Sequence, residues 1–485
     1  MFKKITYKNV IAVGLICTVW ACVPTITNKT ANTAVPTHFK NAHDTTALVN
    51  NQDTTNSALV KWKTYFSDPI LVALIDSALA NNQELNIILH EINITQNDVR
   101  ARKSKIFPFI DIGVGANGEK VGRYTRNGAV DESVPMEPGD PIPNVLPNYA
   151  IAANLSWEVD IWKKLRNAKH AAVYKYLSTV DGKNFMVTNL VSEIVSTYYE
   201  LMALDNQLEV LNNNIDIQSN ALKTVRMEKQ AAKVTELAVR RFEAQVYHTR
   251  SLQFGIKQQI IEKENRINFL LGRYPQPIER KSETFLSIKP DTLYSGVPSQ
   301  ILENRLDVKQ AELELEAAKL DIKVAKANFY PVLRITGGIG YEAFNPKLII
   351  SSPESMLFSL GGTLVAPLIN RNEIRAMYLN ASAKQIQAVY NYERTILNAY
   401  IEVVNQLAKI DNLGKSYELK VLQVQALNES VAIATGLFTS ARADYMEVLL
   451  TQRDAVESKM ELIETKKEQI NAKVFFYRTL GGGWK

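Results

Sequence analysis

Ala325-Lys326-Ala327-Asn328-Phe329-Tyr330-Pro331-Val332-Leu333-Arg334-Ile335-Thr336-Gly337 is the stretch whose reading decides the fold. Before Phe329 the chain is rich in Ala, Leu, Lys and Glu, a helical composition. After Pro331 the period drops to two: Leu333, Ile335, Ile339 and Tyr341 alternate with Arg334, Thr336, Gly338 and Gly340. Proline cannot continue a helix and drives its predecessor into extended backbone. The stretch is therefore a helix-to-strand elbow. It recurs where Ala101 to Pro108 leads into Phe109-Ile110-Asp111-Ile112-Gly113-Val114. A repeated elbow predicts two copies of one unit.

The chain around each elbow follows one order. In the first copy Asp68-Pro69 is a helix-start signal. Leu71, Leu74, Ile75, Ala78 and Leu79 then share a face, and the helix is expected to reach Lys105 with a break near Asn81-Asn82. Residues 109–117 alternate as a strand, a polar Gly- and Pro-rich loop fills 118–147, and Tyr149 to Trp157 carries large apolar residues at odd positions. No proline falls between Pro147 and Pro275, nor after Pro367. Within these stretches Leu201, Leu204, Leu208, Leu211 and Ile215, and then Tyr390, Leu397, Tyr400, Val404 and Leu407, follow coiled-coil spacing. A helix from Asp160 to Ala232 would be about 110 Å long, a length that suits long antiparallel helical hairpins. The second copy runs from Val297-Pro298-Ser299 through the elbow at Pro331 and the strand Met356 to Leu364, and its helical seam reaches Leu480. The expected fold is mainly α with a small β part, a duplicated unit of long antiparallel helical hairpins plus a β-hairpin. The first repeat spans 61–280, with its β-hairpin at about 108–158. The second spans 281–485, with its β-hairpin at about 331–366.

With 46% hydrophobic residues, the 485-residue chain has the composition of a folded protein, and its net charge of +6 is too mild and dispersed to suit nucleic acid. Both cysteines, Cys17 and Cys22, lie at the N-terminus, so neither a disulfide framework nor a thiolate metal site is expected in the body. Lys3, Lys4 and Lys8 precede an apolar run from Val10 to Ala21, too short for a bilayer span. It ends in Val19-Trp20-Ala21-Cys22, which resembles a bacterial lipobox. On this reading 1–21 is a signal peptide, Cys22 carries lipid, and 22–60, rich in Thr, Asn and Ala, is a poorly ordered tether. Val23 after the cysteine, in place of Asp, favours the outer membrane. The alternative is a plain signal peptide with an incidental cysteine.

Four alternating strands have the length a transmembrane β-strand needs, about 9–11 residues. Four strands close no useful barrel, and lipid tolerates no open sheet edge. Strands in a membrane would therefore need several chains to complete one barrel. The alternative is a soluble four-stranded sheet packed on helices. Gly, Ala, Ser and Thr on one side of the strands suit a wetted lumen better than a packed core.

The order of elements and several motifs resemble the TolC/OprM-type outer membrane efflux proteins, lipoprotein branch. The matching residues are Trp62 with Asp68-Pro69, Leu155-Ser156-Trp157-Glu158-Val159-Asp160, Asn268-Phe269-Leu270-Leu271-Gly272-Arg273-Tyr274-Pro275, Phe329-Tyr330-Pro331, and Leu480-Gly481-Gly482-Gly483-Trp484. The resemblance implies a homotrimer whose long helices form an α-barrel continuous with a twelve-stranded transmembrane β-barrel in the outer membrane. It implies a passive exit duct docked to a periplasmic adaptor and an inner-membrane pump. The family often has Arg-Pro-Asp where this chain has Arg305-Leu306-Asp307, a change expected to alter a local turn. It often has Gly at both hairpin tips, where Ala232 and Ala441 stand here. Ala tolerates a left-handed turn poorly, so a different tip geometry is expected.

The candidate periplasmic gate is Thr235, Glu236, Arg442, Asp444 and Tyr445, whose copies would ring a constriction. The competing reading makes Arg442 and Asp444 a solvated pair at a helix turn. The elbow residues Phe107, Pro108, Phe329, Tyr330 and Pro331 are expected at the membrane boundary, their aromatics and Phe109 either in the interfacial girdle or packed beneath the barrel rim. The five histidines share no ligand spacing, and no catalytic motif occurs, so no metal, cofactor or catalytic residue is expected. An exit channel for type I protein secretion shares this fold, and a periplasmic coiled-coil scaffold or adaptor is the reading from another class.

Overall fold

The computed structural model describes residues 23–27, 29–37, 39, 60–135, 141–288, 296–367, 369, 371–440 and 442–484. The expected signal peptide, Cys22 and Ala441 lie outside the described residues. Among the described residues the α-helices are α1 (Trp62–Tyr65), α2 (Pro69–Asn81), α3 (Gln83–Ser104), α4 (Arg126–Ser133), α5 (Lys164–Gln230), α6 (Glu236–Leu270), α7 (Gln300–Asn304), α8 (Leu306–Ala327), α9 (Asn372–Thr439) and α10 (Tyr445–Thr479). The strands are β1 (Phe109–Glu119), β2 (Leu146–Val159), β3 (Val332–Ala343) and β4 (Met356–Val365). The two long helices have 67 and 68 residues, and the two return helices 35 each. At the standard rise α5 is about 100 Å long.

The chain divides into two compact units. One comprises Met1–Thr30, Asn93–Leu177 and Leu313–Val389. It holds an antiparallel sheet of order β1-β2-β3-β4, with β1 and β4 at its edges. The register pairs Asp111 with Asn154, Asn154 with Gly338, and Gly338 with Ser359. The loop expected to be irregular between β1 and β2 contains α4, capped by Thr125 Oγ1, which accepts from the Gly128 amide at 3.1 Å. In this unit Val23 and Ile26 pack on Ala325, Phe329 and Tyr378, so this part of the lead-in is docked.

The other unit comprises Ala31–Ile92, Ser178–Glu312 and Tyr390–Lys485. Leu71, Ile75 and Ala78 of α2 are buried with Ile194, Tyr198 and Leu201 of α5, Ile267 and Leu270 of α6, and Ile463 and Tyr477 of α10. Asp68 starts α2 by accepting from the Ile70 amide at 2.9 Å, and its second oxygen accepts from the Tyr198 hydroxyl at 2.7 Å. Burial, and then that bond to Asp68, push the Tyr198 phenol well above its ordinary pKa. The Asn32 amide donates to Glu393 at 2.9 Å and Phe39 stacks on Tyr400 at 5.6 Å. These contacts too contradict a loose tether over the described residues.

One joint occurs twice in this unit. Gly272, at φ +68°, lies so close to the Asn81 carbonyl that a Cβ would come within 2.5 Å of its oxygen, and a Cβ on Gly481, at φ +94°, would come equally close to the Asn304 carbonyl oxygen. Beside the first, Asn82 donates to the Leu270 carbonyl at 2.9 Å. Beside the second, Arg305 donates to the Thr479 carbonyl at 3.2 Å and pairs with Asp307 and Glu402 at 2.6 and 2.7 Å. Leu306 takes the first position of α8, a place that suits the expected proline equally well.

The seam of α5 is as expected, with Leu201, Leu204 and Leu211 buried and Leu208 half-buried. The seam of α9 is not. Tyr390 and Leu397 are 57% and 58% exposed, while Tyr392, Ile396, Ala399 and Val403 are buried. Two apolar stripes with the same spacing run side by side along α9, and the fold of one chain covers the second. Spacing alone does not distinguish them.

Candidate channel wall and helix-tip gate

Strict alternation gives the sheet two chemically distinct faces. The register brings Ile110, Ile112 and Val114 of β1 to one face with Ile151 and Leu155 of β2, Ile335 and Ile339 of β3, and Phe358, Leu360 and Leu364 of β4. Val114, Phe358 and Leu360 are 78%, 78% and 82% exposed. The opposite face carries Asp111, Asn154, Gly338 and Ser359 in one row, and Ser156, Thr336 and Gly361 in the next. Asn154 donates to Asp111 at 3.3 Å, and Asn148 to Glu342 at 2.5 Å. Among the described residues nothing covers this large apolar face, which is the pattern of a lipid-facing wall. The polar face, lined with small residues, suits water. Among the described residues neither outer edge, on β1 or on β4, has a pairing strand.

The motif around Trp157 shows why the chain turns where it does. Trp157 donates its indole N–H to the Ile106 carbonyl at 3.0 Å. Asp160 caps α5, its two oxygens accepting from the Leu165 and Arg166 amides at 2.9 Å each. Trp162 donates to the Pro331 carbonyl at 2.8 Å and stacks on Tyr330 at 4.7 Å. One short segment thus ties the end of β2 to both elbows.

The two elbows place their aromatics differently. Phe107 and Phe109, beside Pro108, are 59% and 67% exposed, and the register puts Phe109 opposite Ser156 on the polar face. Phe329 is buried, edge-on to Tyr378 at 5.7 Å and under the Arg371 guanidinium at 5.1 Å. A common girdle position for all four aromatics therefore does not hold: Phe329 packs inward. The partners that decide this, Tyr378 and Arg371, come from α9 and the residue just before it, far along the sequence.

At the helix tips Ala232 adopts φ +58°, the left-handed turn that the family's glycine would supply. The expected departure in geometry is not found there. Thr235 is exposed at the N-cap of α6, without a side-chain cap bond. Glu236 pairs with Lys229 at 2.5 Å and with Arg240 at 2.8 Å, and Glu243 pairs with Arg226 at 2.5 Å and with Arg240 at 2.9 Å. The bond to Lys229 holds the Glu236 carboxyl below its usual range, and the bond to Arg226 does the same for Glu243. Sequence reasoning missed Arg226, Lys229, Arg240 and Glu243, although the i,i+4 spacing of Glu236 and Arg240 was visible.

At the second tip Asp444 is the N-cap of α10, and Arg442 and Asp444 are both exposed. Among the described residues neither side chain has an ion-pair partner, so they are not paired with each other. Tyr445 lies 6.4 Å from the Phe242 ring, in a cluster with Val225, Val239 and Leu449 that joins the two tips.

A profile of the family described as outer membrane efflux protein matches residues 74–273 and 297–482. The chain belongs to this family. It is 27% identical over 429 residues to the solvent efflux pump outer membrane protein SrpC of Pseudomonas putida, covering 88% of each chain. It is 25% identical over 454 residues to the cation efflux system protein CusC of Escherichia coli O6:H1, covering 93% of each. A solved structure of a membrane protein from Pseudomonas aeruginosa matches with TM-score 0.82 at 22% identity, covering 95% of this chain and 99% of that one.

An outer membrane efflux protein is the outer-membrane channel component of an efflux system, and its family is one of ducts rather than enzymes. Membership accounts for a chain in which no described helix is long and apolar enough to cross a membrane while its sheet carries an uncovered apolar face. Among the described residues no cluster of three His, Cys, Asp or Glu side chains is placed to hold a metal ion.

Proposed function

We propose that three copies of the chain close one twelve-stranded barrel in the outer membrane and serve as the passive exit duct of a tripartite efflux assembly. The duct docks to a periplasmic adaptor and an inner-membrane pump, and its cargo is small molecules such as drugs or other toxic compounds. The observation that carries this reading is the sheet: one apolar face, one polar face, and two unpaired edges. Three such sheets joined edge to edge satisfy every strand and leave a wet lumen inside. The elbows at Phe107-Pro108 and Phe329-Tyr330-Pro331 mark the membrane boundary, and lipid on Cys22 anchors the N-terminus in the same leaflet. At the helix tips, Arg442 and Asp444 reach across to neighbouring copies and hold the periplasmic mouth closed, with Thr235, Glu236 and Tyr445 around them. The test is a deletion strain challenged with a panel of toxic small molecules. Heightened sensitivity, reversed by the wild-type chain, is expected. Unchanged sensitivity across the panel, together with no conductance from the purified chain in planar bilayers, would sink the reading. Radiolabelled palmitate should enter the wild-type chain and not Cys22→Ala.

A further inference from the structure

The strand ends at the elbows carry a charge imbalance that the duct itself does not use. By the register, β1 and β3 begin, and β2 and β4 finish, at one end of the sheet. All four chain crossings at that end bear an exposed cation: Lys103 and Lys105 before β1, Lys163 after β2, Lys323 and Lys326 before β3, and Arg375 after β4. None of the six has an ion-pair partner among the described residues. The carboxylates nearby are committed. Asp98 is met by Arg102, Glu158 by Lys164 and Asp321 by Lys175, Asp160 caps α5, and Asp111 accepts from Asn154, which leaves Glu373. At the opposite end Lys120, Arg126 and Lys347 face Glu119, Asp131, Glu342 and Glu354, counting described residues without an ion-pair partner, so the cations there are outnumbered. The basic end also carries exposed Phe107 and Trp162, 59% and 45% accessible, and the apolar sheet face begins within a few residues of them.

We infer that this end of the sheet is a binding belt for anionic phospholipid headgroups of the leaflet on the helix side. The inference rests on the membrane reading above. Lysine stems lie along apolar surface while their ammonium groups reach the phosphate level. Amphipathic rings settle at the same depth. Repetition at all four crossings argues for a surface that surrounds the molecule, as a leaflet does, and against a protein partner seated on one side. Six unpaired cations against Glu373 at one end, and no cation excess at the other, give the belt its direction.

The experiment uses the full-length chain in mixed micelles of phosphatidylethanolamine with phosphatidylglycerol or cardiolipin, with retained lipid counted by mass spectrometry. Wild type should enrich the anionic lipid, by about fivefold per engaged cation at low salt, and the enrichment should fall as salt rises. The quadruple variant Lys103→Gln, Lys105→Gln, Lys323→Gln and Lys326→Gln should lose most of it, and the matching quadruple Arg variant should keep it. An enrichment that is absent in wild type, insensitive to salt or unchanged in the Gln variant overturns the inference. So does an equal thermal shift from inorganic phosphate, which would point to a free-anion site. Wild-type conductance in the Gln variant shows that the membrane reading stands whichever way the lipid count falls.

Discussion

Trp162 donates its indole N–H to the Pro331 carbonyl at 2.8 Å while its ring stacks on Tyr330 at 4.7 Å. The contact joins the exit from the first β-hairpin to the entry of the second. A hydrogen bond contributes about 1 kcal/mol and an aromatic pair about as much again. Trp162→Ala is therefore expected to cost about 2 kcal/mol and Trp162→Phe about half of that. The shift in heat-modifiable migration on gels measures both, and equal effects of the two variants would refute the partition.

Gly340 is fixed by close approach. A Cβ there would stand 2.3 Å from the Ile151 carbonyl oxygen and 2.6 Å from the Ala152 Cβ. Gly340→Ala must push β3 away from β2, at about 2–3 kcal/mol. Gly113, whose added Cβ meets nothing nearer than Asn154 at 3.8 Å, is the control. Outer-membrane recovery should collapse for Gly340→Ala and stay normal for Gly113→Ala.

The left-handed Ala232 carries strain that glycine would not. Ala232→Gly should stabilise the first tip by about 1 kcal/mol. Hydrogen exchange at tip amides reads this as slower local opening, and faster opening would contradict the assigned turn.

The tip charges also set a pH dependence. Glu236 and Glu243 are both held below the ordinary carboxylate value of 4.5. Groups with depressed pKa add stability above that value and lose it as pH falls through their folded-state values. Tip protection, corrected for intrinsic exchange, should be flat from about pH 7 to pH 5 and decline only below pH 4.5. A decline centred near neutrality would rule the carboxylates out as its cause.

The gate assignment makes a separate claim. Arg442 and Asp444 have no ion-pair partner among the described residues, whereas the charge of Glu236 is met by Lys229 and Arg240. The double variant Arg442→Ala with Asp444→Ala should raise single-channel conductance, and Glu236→Gln should raise it less. Conductance unchanged in the double variant would count against a gate at this tip.

What the sequence made legible were the features with local causes. Pro108 and Pro331 end helices wherever they stand, and alternation from Phe109 and Val332 onward forces strands. What it hid depends on residues far apart. Phe107 and Phe329 both stand at a proline elbow, yet only Phe329 meets Tyr378. Tyr390 and Tyr392 both lie on periodic apolar stripes, and only the packed fold separates the buried from the exposed. The docking of Val23 and Ile26 is invisible in the sequence because two apolar residues in a polar segment carry no periodic signal.

The unpaired edges of β1 and β4 bear on timing as well as on form. In the proposed three-copy barrel the sheet finds its last hydrogen bonds in other copies and cannot enter lipid alone, so assembly comes before or together with insertion. For a three-copy barrel the yield of inserted channel would then fall much faster than linearly as the chain is diluted. A single copy that reached the bilayer early would meet it as an obstacle rather than a solvent.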